Sequence, residues 1–249
     1  MKPHHPFVLA LAAAAAAFAT AQAEPTPVTV RAIARDAKFI GDAMGGVRIV
    51  LSNAKTGAKL AEGLTKGGTG DTPRLIVNPR VRGEPLATPG AAAFTATLDI
   101  DRPTLVRAEA IGPLGKPDSQ STVSATQWIL PGRAVDGDGW VLELPGLVIE
   151  PTWAAVADKP ATLSAKITLM CGCPIEPGGH WDAGEYEVLA TLSRGGKTVA
   201  TLPLVYAGTP SMFAATASSL PAGRYRLLLT AHNASTGNTG VVGRDVEVK

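Results

Sequence analysis

Histidine is scarce, with four in 249 residues, and cysteine scarcer still, with two. Aromatic residues make up 5% of the chain. No excess of one charge exists either. A formal net charge of +2 excludes the basic surplus by which proteins neutralise nucleic-acid phosphates. After the first 23 residues no apolar run approaches the roughly 20 residues of a membrane-spanning helix. Glycine and proline, by contrast, are plentiful at 27 and 20, high for a globular chain and short of a disordered or collagen-like composition. The length gives a prior of one to two domains and is ample for a buried core.

The N-terminus reads as a targeting segment. Lys2 supplies a positive start, Phe7 to Ala19 is an unbroken apolar run, and Ala21-Gln22-Ala23 is a small-x-small cleavage signal. A signal peptide over residues 1–23 is therefore expected, cleaved after Ala23, with a destination in the periplasm or beyond the cell. Neither a twin arginine nor a cysteine at the cleavage point is present, so a folded-export signal or lipid anchor is not indicated. Cleavage removes His4 and His5 and leaves only His180 and His232. A histidine-rich metal site or a two-histidine metalloenzyme motif is then hard to build in one chain.

The mature sequence alternates short runs rich in Val, Ile, Leu and Thr with Gly/Pro/Asn/Asp clusters, the rhythm of all-β sandwiches rather than βαβ units. Strands are expected over 28–34, 47–51, 94–100, 105–110, 122–130, 141–144 and 147–150. A further set is expected over 161–169, 186–193, 198–206, 213–217, 225–231 and 241–248. The fold class is thus all-β, with two consecutive β-sandwich domains over 24–146 and 147–249. Gly67 to Thr72 reads as a flexible hairpin tip and Asp136-Gly137-Asp138-Gly139 as a turn.

Two stretches carry a resemblance. Val47 to Gly63, with Thr56-Gly57 in its turn and Leu60-Ala61-Glu62-Gly63 after it, resembles transthyretin-like or carboxypeptidase-regulatory-like sandwich domains. Leu220-Pro221-Ala222-Gly223-Arg224-Tyr225-Arg226-Leu227 resembles a corner of bacterial Ig-like modules. That likeness implies that the Tyr225 hydroxyl returns a hydrogen bond to the backbone. Both families consist mostly of structural or binding modules.

Met170-Cys171-Gly172-Cys173-Pro174 holds both cysteines. If the preceding strand continues, Cys171 and Cys173 share its core face by the period of two. The leading reading is an internal Cys171–Cys173 disulfide, since an exported pair usually oxidises. The sharper alternative is a soft-metal site in which both thiolates, His180 and Met170 offer donors suited to Cu(I). A redox-active pair and two inert thiols complete the readings. Trp128, Trp140 and Trp153 lie near the expected domain boundary, with Trp181 beside the cysteines. They serve as core plugs or, as an alternative, Trp140 and Trp181 stack on sugar rings.

No nucleophile-elbow Gly-x-Ser-x-Gly occurs in the chain. The expectation is an exported, non-catalytic binding or accessory protein of the bacterial cell envelope, with no cofactor. Its partner is a protein or small ligand in the periplasm, with no nucleic acid and no membrane span. The alternatives are a periplasmic Cu(I)-handling protein and a carbohydrate-binding module.

Overall fold

Val28, Val30 and Ala32 are buried while Pro27, Thr29 and Arg31 reach toward solvent, the alternation of a strand with one face on a core. That pattern repeats along the chain of a computed structural model. The structure describes residues 23–155, 160–218 and 220–248. The expected signal peptide, save Ala23, lies outside the described residues.

Residues 24–144 supply β1 (Glu24–Ala34), β2 (Arg48–Asn53), β3 (Lys59–Leu64), β4 (Phe94–Ile100), β5 (Thr104–Gly112), β6 (Ser121–Ile129) and β7 (Val135–Leu144). They form two sheets, ordered β4-β1-β7 and β3-β2-β5-β6. Residues 147–248 supply β8 (Leu147–Ala154), β9 (Ala161–Leu169), β10 (Tyr186–Arg194), β11 (Lys197–Pro203), β12 (Val205–Tyr206), β13 (Met212–Ala217), β14 (Gly223–Asn233) and β15 (Asn238–Val248). Their sheets are ordered β11-β10-β14-β15 and β12-β13-β9-β8. No named strand of the first group pairs with one of the second among the described residues. The protein is all-β, with sandwiches whose inner faces carry side chains such as Leu163, Ile167, Leu192 and Leu229.

The strand expected over 198–206 divides in two. Pro203 has no N–H to donate, and the next N–H, that of Leu204, donates to the Val188 carbonyl at 2.8 Å. Past that point Val205–Tyr206 pairs with β13 in the opposite sheet. The glycine stretch after Thr65 is no hairpin tip. Lys66 and Gly68 bridge to Ala93 and Ala91, opening a long excursion that contains one π turn at Pro73–Val77. Asp136–Gly139 lies inside β7, where the parallel register with β1 jumps from Val28–Val135 to Val30–Trp140. Asp138 there accepts from the Leu86 and Ala87 N–H groups, both at 2.8 Å. Arg31 completes the tether by donating to the carbonyls of Ala91 at 2.6 Å, Ala92 at 3.0 Å and Asp138 at 3.2 Å.

The two groups of sheets share one hairpin device. Asn53-Ala54-Lys55-Thr56-Gly57 joins β2 to β3, and Asn233-Ala234-Ser235-Thr236-Gly237 joins β14 to β15. Asn53 Oδ1 accepts from the N–H of Lys55 at 2.9 Å and Thr56 at 3.1 Å. Asn233 Oδ1 accepts from Ser235 at 3.0 Å and Thr236 at 3.1 Å. Gly57 and Gly237, at φ +74° and +69°, close the turns by donating to Asn53 and Asn233 carbonyls. These are Asx turns ending in a left-handed residue, where glycine escapes the Cβ penalty. Open space surrounds both glycines, so the backbone conformation alone sets the cost of a side chain. Gly57→Ala and Gly237→Ala are each expected to lower unfolding stability by about 1 kcal/mol. Urea denaturation of the single variants measures it.

Candidate functional site

Strand β9 ends at Leu169, and the chain turns back at once. The Gly172 N–H donates to the Leu169 carbonyl at 2.8 Å, and Gly172 takes φ +79°. Thr168 then bridges Pro174 on the return. The reversal brings the Cys171 and Cys173 Cα atoms to 5.4 Å and their sulfurs to 2.07 Å, bonding distance for a disulfide. Both residues are buried, on the core side as their spacing implies. A glycine turn rather than an extended strand places them there.

The other residues singled out beside them are not gathered around the sulfurs. Met170 turns toward Gly146, where a Cβ would lie 2.2 Å from its Cε. His180 is exposed and meets the Trp181 ring edge-on, with centroids 6.0 Å apart. As a soft-metal site the segment supplies two sulfurs already joined to each other, a thioether facing elsewhere, and a solvent-exposed imidazole. Among the described residues no three His, Cys, Asp or Glu side chains are grouped to hold a metal. Of the acidic neighbours, Asp182 instead staples its own loop by accepting from Gly184 N–H at 2.8 Å and Gly178 N–H at 3.0 Å. Those two N–H groups, Gly184 first, hold its carboxyl below the usual range.

Both tryptophans considered for sugar stacking are covered. Trp140 is 8% and Trp181 6% exposed. Trp140 sits in β7 opposite Val30. Trp153 is half-buried and donates to the Glu247 carbonyl at 3.0 Å. The exposed indole is Trp128, with Lys55 Nζ 5.4 Å from its ring centre.

What the cysteine turn builds is a seam between the two sandwiches. Gly172 accommodates the Met44 sulfur, which would stand 2.8 Å from a Cβ there. Trp181 Nε1 donates to the Asp36 carbonyl at 2.8 Å. Next to it Asn238, 1% exposed, uses both ends of its amide. Its Nδ2 donates to the Arg35 carbonyl at 3.1 Å, and its Oδ1 accepts from the Gly146 N–H at 3.0 Å. Lys116–Glu150 at 2.7 Å and Arg244–Asp118 pair across the far side of the same seam, but such exposed pairs each contribute about 0–1 kcal/mol. Met44, Asp36 and Asn238 carry no signal in the sequence, because their partners lie far along the chain, 92 residues away for Gly146 and 203 for Arg35 in the case of Asn238.

The seam has an acidic rim. Partial burial raises the Asp36 carboxyl above its ordinary pKa, and Glu185 and Glu143 add to the effect. Burial likewise pushes the Tyr186 phenol up to about 12, opposed by a hydrogen bond with Asn233. Away from the seam, a cleft of about 490 Å³ opens at the ends of β10, β14 and β15. No protein-family model and no curated protein matches the sequence.

Two outcomes follow from the seam. Asn238→Ala leaves a partly buried donor and a partly buried acceptor without their partner and should cost about 1–3 kcal/mol, read by chemical denaturation. Asp36 has a folded-state pKa above its unfolded value. The stability linked to its proton is therefore complete below the unfolded pKa and is lost as pH rises through the folded one. Asp36→Asn removes that loss, and asparagine tolerates the residue's φ of +53°. Thermal melts should show the variant gaining over the parent chain at pH 7 and converging with it near pH 3.

Proposed function

We propose that the mature chain is an exported, non-catalytic binding or accessory protein of the bacterial cell envelope. The reading takes the sheets over 24–144 and 147–248 as two sandwich domains meeting at Gly146. The leader pattern of Lys2, the alanine-rich run and Ala21-Gln22-Ala23 supports export. The observation that carries the rest is the use made of the chemically distinctive segment. Cys171, Cys173 and Trp181 are buried parts of a seam, tied to Met44 and Asp36. A seam with a buried amide bonded at both ends suits a block that holds its outer surfaces in fixed relation and presents them to a partner or small ligand.

Cell fractionation followed by intact mass measurement without reductant tests the proposal. The expected species is an envelope-fraction chain beginning at Glu24 and lighter by the two hydrogens of a Cys171–Cys173 disulfide. A full-length chain in the cytoplasm overturns the export reading. Turnover of ester, phosphoester, peptide or glycoside substrates by the purified chain, lost on substitution of one polar side chain, overturns the non-catalytic one.

A further inference from the structure

A cavity of about 350 Å³ opens beneath the long excursion after Thr65, within the roughly 300–1,000 Å³ of small-ligand sites. Strand alternation decides its floor. Trp140 and Leu142 of β7 are buried in the sandwich, so Val141 and Glu143 stand on the outer face of that sheet. Register sets Ile33 of β1 opposite Glu143 on the same face. Leu75, Ile76 and Leu86 of the excursion line the facing wall. With Ile33 and Val141 they belong to a small apolar cluster apart from the main core.

Three charged residues complete the lining, Asp36 and Glu143 on the sheet side and Arg80 on the excursion side. Glu143 is already held, its Oε1 2.8 Å from Arg35 Nε. Asp36 and Arg80 are not. Among the described residues neither has an opposite charge within ion-pair distance. Both are nevertheless carried on backbone that is tied down. Asp36 sits in the reversal after β1, where the Ala37 N–H donates to the Ala34 carbonyl at 3.1 Å and the Asp36 carbonyl accepts from Trp181. The segment bearing Arg80 is cross-linked by the Arg74 guanidinium, which donates to the Pro85 carbonyl at 2.9 Å.

One unpaired carboxylate and one unpaired guanidinium, on opposite walls with apolar side chains between them, suit neither a simple anion nor a simple cation. Either ion would satisfy one wall and leave the other charge without a partner. A ligand that carries both charges satisfies both walls. Asp36 has the greater need, since burial and the carboxylates of Glu185 and Glu143 all disfavour its charge, and a neighbouring ammonium offsets that cost. A guanidinium offers a carboxylate two parallel N–H donors. We infer that this cavity binds a zwitterion with an apolar body, such as an apolar amino acid. Its ammonium is held by Asp36, its carboxylate by Arg80, and its side chain lies on Ile33, Leu75 and Val141. The inference rests on the reading of an exported binding protein and names its ligand class.

Calorimetric titration of the purified mature chain separates the two charges. Phenylalanine and leucine are expected to bind, and glycine, which lacks the apolar body, is not. Phenethylamine lacks the carboxylate and 3-phenylpropionate the ammonium. Each should bind about tenfold more weakly than phenylalanine, the loss of a charge-assisted hydrogen bond. R80Q should weaken phenylalanine about tenfold and leave phenethylamine unchanged. D36N should weaken phenylalanine by a similar factor and leave 3-phenylpropionate no weaker. Both substitutions are at exposed positions, and thermal melts check that the variants fold. Absence of binding by both phenylalanine and leucine overturns the inference, as does phenylalanine binding that survives D36N with R80Q. Equal affinity for phenethylamine or 3-phenylpropionate overturns the zwitterion as ligand. None of these results bears on export, which the mass and fractionation measurements decide.

Discussion

One buried amide connects the parts of this molecule that sequence separates most widely. Asn238 begins the last strand, yet its side chain bonds the Arg35 carbonyl near the end of the first strand and the Gly146 N–H between the two sandwiches. With both ends of its amide used, Asn238 can be buried without the penalty that an unpaired polar group carries. Among the described residues no buried side-chain nitrogen or oxygen lacks a partner. The same residue therefore fixes the angle at which β8 leaves β7 and holds the loop after β1 against the second sandwich. The Trp181–Asp36 hydrogen bond and the Met44 contact with Gly172 cross the same seam.

Missing Cβ atoms are the complementary constraint. At Gly146 the absent side chain makes room for Met170, and at Gly172 for Met44. Both methionines fill the seam, a use suited to an unbranched, polarizable side chain. The same principle operates at Gly243 on the outer face of β15 and at Gly223 at the start of β14, where arginines instead of methionines lie across the backbone. The chain's plentiful glycine thus does more than form turns. It allows long side chains to pack flat where a sheet would otherwise hold them away.

Much of the architecture was legible from local pattern. Alternation marked the strands because a half-buried strand has a strict period of two, and β9, at Ala161–Leu169, begins and ends where its pattern does. The hairpin turns were legible because Asn and Gly have local backbone preferences that do not depend on distant contacts. Reading failed where a segment owes its conformation to something remote. Gly67 and Gly68 look like a loose tip, but Ala91 and Ala93 hold them. Asp136–Gly139 looks like a free turn, but it is enclosed in a strand and Asp138 serves Leu86 and Ala87. The strand that carries Arg226 was visible from residue 225 onward, but what stands beside it, Asp245 on one side and Ser193 on the other, depends on cross-strand register.

The sequence by itself determined the all-β class and the positions of most strands, and left the state of Cys171 and Cys173 open among several readings, because spacing along a few residues does not show the turn at Gly172 that brings them together. Tertiary structure decided what those features are for. It covered Trp140 and Trp181, left Trp128 exposed, turned Met170 toward Gly146, and set Met44 against Gly172. Periodicity tells a residue which face of its strand it occupies, but not what stands opposite. That depends on how separately formed sheets close upon one another, which here rests on contacts between residues as far apart in the chain as Arg35 and Asn238.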